Sequence, residues 1–125
     1  MVLDTNALSA LFAGNPQLAE LLGDVPLLSV PSIALGEYRF GLCRSRQRET
    51  LEPLLDELVR VSRVLVVDER TAEVYAEVRD RLRSNGTPIP ENDVWIAALC
   101  RQHSLPLASR DRHFDHVAGL RRSSW

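Results

Sequence analysis

A mostly parallel α/β sheet, covered on both faces by helices and joined by right-handed crossovers, is the fold class predicted for this chain. Three observations predict it. Short apolar runs rich in Val and Leu alternate with longer segments of helical period. The runs lack polar alternation, as strands buried on both faces require. With 125 residues and 45% hydrophobic content, the chain suits one compact domain over 1–125 with a core of its own.

Taken in order, the run Val2–Asp4 predicts the first strand, shortened by a leader of only three residues before Asp4. Helical period follows over Ala7–Ala13 and Pro16–Leu22. Leu27–Val30 reads as the second strand, and Pro31 can occupy the first turn of a helix over Ser32–Arg44. A further helix over Arg46–Val61 leads to the third strand, Val64–Val67. The helix Arg70–Ser84 stops at Asn85-Gly86, a strong terminator, and the loop "TPIPEN" separates it from a helix over Val94–His103. Leu105–Ser109 is the fourth strand. No repeat, low-complexity tract or interdomain linker interrupts this order.

Composition excludes several classes of function. All fifteen basic residues are arginine, so neither a Walker-type phosphate loop nor Schiff-base catalysis is available. No apolar run approaches the roughly 18 residues of a membrane span, and nothing at the start reads as a signal peptide, so a soluble cytoplasmic protein is expected. Cys43 and Cys100 lie in apolar helical contexts without metal-ligand spacing and are expected to be buried free thiols.

Ligands of open α/β sheets gather beyond the carboxyl ends of the strands. "VLDTN" ends a strand at Asp4, and "LPLASRD" reaches Asp111 just past another. Either acid could instead cap the following element. Asp68 also follows a strand, but Thr71 and Glu73 begin a helix close behind it, so a capping role is expected there. Glu37 falls between Ile33, Phe40 and Gly41 on its helix, a carboxylate on a greasy face beside open space. Asp93 precedes a run that is apolar from Val94 to Cys100 and shares a face with Ile96, Ala97 and Cys100. It reads either as an N-cap or, with Asn92 capping instead, as a carboxylate held for other work.

Convergence of Asp4, Glu37, Asp93 and Asp111 would require protonation, arginines or cations to relieve their repulsion. Divalent metal is the economical solution, and an all-oxygen set suits Mg²⁺ or Mn²⁺. Zinc favours His or Cys, and His103, His113 and His116 show no ligand pattern; they are expected at the surface.

The motifs "LDTN", "GEYRFG", "PENDVWIAA" and "SRDRHF", in this order and at these intervals, resemble those of PIN-domain ribonucleases, especially the VapC-type toxins of toxin–antitoxin operons. The resemblance runs from Leu3 to about Phe114. It implies a PIN-like three-layer α/β/α sandwich and an acidic metal-binding and catalytic set on Asp4, Glu37, Asp93 and Asp111. It also implies that Thr5 and Asn6 shape the site and that Asn92 stands beside the third acid. Asp115, in the region where some relatives carry a further acid, is left beside the site.

The implied activity is Mg²⁺- or Mn²⁺-dependent endoribonuclease, in which water attacks an RNA phosphorus and leaves a 5′-phosphate and a 3′-hydroxyl. Arg39, Arg44, Arg46, Arg48, Arg110 and Arg112 flank the acid motifs and are candidates for phosphate contacts. Setting the four acids aside turns the formal charge of −2 into only +2, so weak non-specific RNA affinity is expected. The implied partners are RNA, a cognate antitoxin, a second copy in a homodimer, and a toxin–antitoxin hetero-oligomer, with no membrane. Two rivals remain: a catalytically silent PIN-like binding module, whose mark would be a lost acid, and a non-toxin PIN nuclease. A receiver domain would need a lysine that the chain lacks.

Overall fold

The computed structural model describes residues 1–125 and has the predicted architecture. Five short parallel strands, β1 (Val2–Leu3), β2 (Ser29–Pro31), β3 (Arg63–Leu65), β4 (Leu107–Ala108) and β5 (Arg122–Ser123), lie in the order β3-β2-β1-β4-β5. Around them pack α1 (Thr5–Phe12), α2 (Pro16–Leu22), α3 (Ser32–Leu42), α4 (Arg48–Val61), α5 (Glu69–Ser84) and α6 (Glu91–Gln102), with a 3₁₀ turn over Arg112–His116. The chain grows from β1 toward β3 on one side and returns to add β4 and β5 on the other. The order therefore reverses between β1 and β4, which pair in the register Val2–Leu107 and Leu3–Ala108. A crevice opens at such a reversal because successive connections leave in opposite directions.

Burial explains why the central strands are continuous apolar runs: Val2, Leu3, Val30, Leu107 and Ala108 are fully shielded from solvent. From Ile96 to Cys100, α6 is buried at every position, as its unbroken apolar sequence requires. Asp68 caps α5 as expected: its side chain accepts from the Thr71 backbone at 2.9 Å, and the Thr71 hydroxyl accepts from the Asp68 backbone at 3.0 Å. Gln102 of α6 donates to the same carboxylate at 3.0 Å, tying the two helices together.

Several expectations need correction. The strand β5 is absent from the sequence reading because its two residues, Arg and Ser, carry no apolar signal. Pro31 ends β2 rather than entering the helix. The third strand stops at Leu65, on the sheet's edge, leaving Val66 and Val67 exposed rather than buried on both faces. Cys100 is buried, and its thiol is pushed up to about 12 by desolvation, but Cys43 is exposed just beyond α3. No helix is long and apolar enough to cross a membrane.

An acidic site at the sheet crossover

Asp4 immediately follows β1 and is the N-cap of α1, with its Oδ1 accepting from the Ala7 backbone at 2.7 Å. The two readings of this residue are compatible, because a cap engages only part of the carboxylate. Asp4 is 4% exposed, and burial pushes its carboxyl upward. The Ser109 hydroxyl nearby and the Ala7 backbone N–H pull it down, and the charges of Asp111 and Glu37 push it up again. The Ser109 oxygen also accepts from the Asp111 backbone at 3.0 Å, which ties the acid after β4 to the strand's end.

Asp111 precedes the 3₁₀ turn as its cap residue, but its side chain makes no cap hydrogen bond and lies instead 2.7 Å from His113 Nδ1. Asp93 lies in the first turn of α6, which begins at Glu91, earlier than predicted, with Pro90 as its uncapped N-cap residue. Neither Asp93 nor Asn92 is the cap. Asn92 is exposed, whereas Asp93 is partly buried; desolvation raises its carboxyl, His113 lowers it, and Glu37 and Asp111 raise it. Glu37 is anchored from α1, its Oε1 accepting from the Thr5 hydroxyl at 3.0 Å.

The greasy face expected around Glu37 is not there. Phe40 is 81% exposed, and α3 buries Ala34, Tyr38 and Leu42 instead. Gly41 does leave the predicted space: a Cβ there would meet nothing within 4 Å. It lines a groove of about 600 Å³ that runs from Thr5 and Glu37 past Phe12 to Leu51 and Leu54.

His113 joins the acidic cluster, which the sequence pattern did not signal. Far from being an ordinary surface side chain, it is wedged between two acids, Nδ1 at 2.7 Å from Asp111 Oδ1 and Nε2 at 2.8 Å from Asp93 Oδ2. Nε2 is sealed from solvent and, despite that short distance, has no hydrogen-bond acceptor aligned with it. Only its place one residue before the buried Phe114 could have signalled this.

Asp93, Asp111 and His113 bring ligand atoms within 4.8 Å of one another. Asp4 and Glu37 stand near this triad: Asp111 and Glu37 raise the Asp4 carboxyl, and Glu37 also raises that of Asp93. Clustered carboxylates whose charges oppose one another, with an unaligned buried ring nitrogen among them, fit a divalent cation. The oxygen-rich set matches Mg²⁺ or Mn²⁺ better than zinc.

Of the arginines proposed for phosphates, Arg39 is engaged by Asp56 at 3.0 Å and Arg48 by Glu52 at 2.9 Å. Arg110 lies over the Trp125 ring, 5.0 Å from its centroid. Arg44, Arg46 and Arg112 are exposed and form no ion pair.

A parallel sheet with acids converging at its crossover is the arrangement of a PIN domain, and the PIN domain family model matches residues 1–120. The chain belongs to this family. Within it, the chain is of the VapC type. It is 31% identical to Toxin FitB of Neisseria gonorrhoeae, over 89% of this chain and 87% of that protein. It is 30% identical to Ribonuclease VapC5 of Mycobacterium tuberculosis, over 94% and 87%. A solved member of the VapBC family of toxin–antitoxin systems, VapBC-5 from Mycobacterium tuberculosis, superposes with a TM-score of 0.75 at 26% identity, covering 98% of this chain and 94% of that one.

Proposed function

We propose that this chain, a single PIN domain throughout, is a metal-dependent endoribonuclease of the cytoplasm and the toxin of a toxin–antitoxin pair, acting by halting translation. The observation that supports the proposal is the cluster of Asp93, Asp111 and His113, whose ligand atoms lie within 4.8 Å of one another, with Asp4 and Glu37 near enough for their charges to act on it. A silent binding module has no use for so costly a cluster. The relatives, a toxin and a ribonuclease, support the same reading.

Mg²⁺ or Mn²⁺ held by these acids and His113 would supply activation of the attacking water and neutralisation of charge on the phosphate. The protein's own residues build the place. The Ala7 backbone holds Asp4, Ser109 holds the Asp111 backbone, and Thr5 orients Glu37. Arg44, Arg46 and Arg112, free of ion pairs, bind flanking phosphates of a single-stranded segment. No side chain need act as nucleophile, so the expected products carry a 5′-phosphate and a 3′-hydroxyl.

The cognate antitoxin is the proposed protein partner, consistent with the toxin–antitoxin system to which the solved relative belongs. The groove beside Glu37, with Phe12, Leu51 and Leu54 in its wall, offers an apolar seat next to the acids. Exposed Phe40, Val66 and Val67 supply surface for a homodimer and for the hetero-oligomer.

Incubating purified protein with a mixed tRNA, rRNA and mRNA pool, with Mg²⁺, Mn²⁺ or EDTA, tests the proposal beside a folded Asp93→Asn variant. Cutting that requires metal and Asp93 supports it. Equal behaviour of the two proteins overturns it in favour of a binding module.

A further inference from the structure

The last strand carries a side chain whose placement the proposed chemistry does not yet use. Arg122 of β5 reaches back under the 3₁₀ turn and grips both Asp115 oxygens, Nε at 2.8 Å from Oδ1 and Nη2 at 2.9 Å from Oδ2. Its remaining arm, Nη1, donates to the Ser109 carbonyl at 3.0 Å. The Arg122 side chain is only 14% exposed, unlike the arginines of the other ion pairs, which are 45% exposed or more. Ser109 is fully buried, its backbone N–H donates to the Ser123 carbonyl at 3.1 Å, and its hydroxyl oxygen accepts from the Asp111 backbone at 3.0 Å.

We infer that Arg122, clamped by Asp115, is a positioning residue that sets Ser109 and thereby fixes Asp111 and the turn that carries His113 at the spacing a divalent cation needs. The clamp spans the Ser109–Asp115 segment from both ends: Ser109 at its start, Asp115 at its finish, with Asp111 and His113 between. A planar guanidinium can hold a carboxylate with two donors and a carbonyl with a third, a geometry that a lysine ammonium cannot reproduce. Asp115 is thus committed to Arg122 and is not a further ligand. Groups that orient ligands in this way govern metal affinity even though they never touch the ion.

This inference rests on the metal-dependent reading, and Mn²⁺ binding measured by electron paramagnetic resonance separates the two. The comparison uses wild type, Asp111→Asn, Arg122→Lys and Asp115→Asn. Asp56→Asn, which breaks the exposed pair with Arg39, serves as a control, and thermal melting is followed throughout. The expected result is that Arg122→Lys and Asp115→Asn melt cooperatively, as wild type and the control do, yet bind Mn²⁺ roughly 10- to 100-fold more weakly. Wild-type affinity in both clamp variants, with Asp111→Asn impaired, overturns the clamp while sparing the metal reading. Absence of Mn²⁺ binding by wild type overturns both. Should Arg122→Lys fail to fold, Asp115→Asn, which retains an acceptor for Arg122, decides the question.

Discussion

Thr5 and Glu37 are joined by a hydrogen bond of 3.0 Å between the first turn of α1 and the middle of α3, although 32 positions separate them in the chain. The bond holds an otherwise mobile glutamate at the mouth of the groove, on the side where the other acids converge. A hydrogen bond to a charged group contributes roughly 1.5 to 3 kcal/mol. Thr5→Val is therefore expected to lower the RNA cleavage rate by about tenfold or more, whereas Thr5→Ser keeps most of it. Single-turnover kinetics on one RNA substrate checks this.

Asp4 combines a cap with a candidate metal ligand, and two substitutions separate these roles. Asn preserves an acceptor for the Ala7 N–H, so Asp4→Asn should fold with near wild-type stability while losing cleavage. Asp4→Ala should lose cleavage and also about 1 kcal/mol of stability from the vacated cap. Urea unfolding of the two variants provides the comparison.

The carboxyls of Asp4 and Asp93 are both raised by burial and by neighbouring acids. A raised acid binds more protons in the folded chain than in the unfolded one, so stability falls as pH rises from the ordinary carboxylate value toward the folded one. Above that window the loss is complete. Relative to metal-free wild type, Asp93→Asn should accordingly gain stability as pH rises above the ordinary carboxylate value of about 4, and saturating Mg²⁺ or Mn²⁺ should abolish the advantage. Denaturant unfolding at several pH values, with and without metal, shows the sign directly.

Gly41 predicts opposite effects for small and large side chains. Its helix has room for a Cβ, so Gly41→Ala should stabilise the protein by roughly 0.5 to 1 kcal/mol without loss of cleavage. Gly41→Trp projects into the groove beside Glu37 and should raise KM for RNA while leaving Tm nearly unchanged. Melting curves and substrate titrations of both variants test the pair.

Thr71, fully buried, lies far along the chain from the acid motifs, and its hydroxyl serves Asp68 and Gln102. Thr71→Val should cost about 1 to 3 kcal/mol through unsatisfied polar partners. Cleavage per folded molecule should not change, as calorimetry and activity on the same sample would show.

Asp4 and Asp111 were legible in the sequence because strand ends are marked by the change from apolar to polar residues. Asp93 was legible because an acid ahead of an all-apolar helix needs a reason. Glu37 emerged from a helical stripe that proved misleading, since the stripe's aromatic, Phe40, faces solvent. The missing parts depend on contacts that no local pattern encodes. His113 gains its role from two acids on different elements, and Arg122 from a carboxylate and a carbonyl brought together by a two-residue strand. Periodicity reveals what a segment buries, but not which distant side chain will meet it.

The most direct measurement is the end chemistry of a single RNA cut by the purified protein with Mn²⁺ or Mg²⁺, read beside Asp4→Asn and an EDTA control. The account predicts 5′-phosphate and 3′-hydroxyl ends that vanish with the acid or the metal. Ends carrying a 2′,3′-cyclic phosphate, or cleavage that persists in EDTA, would contradict it.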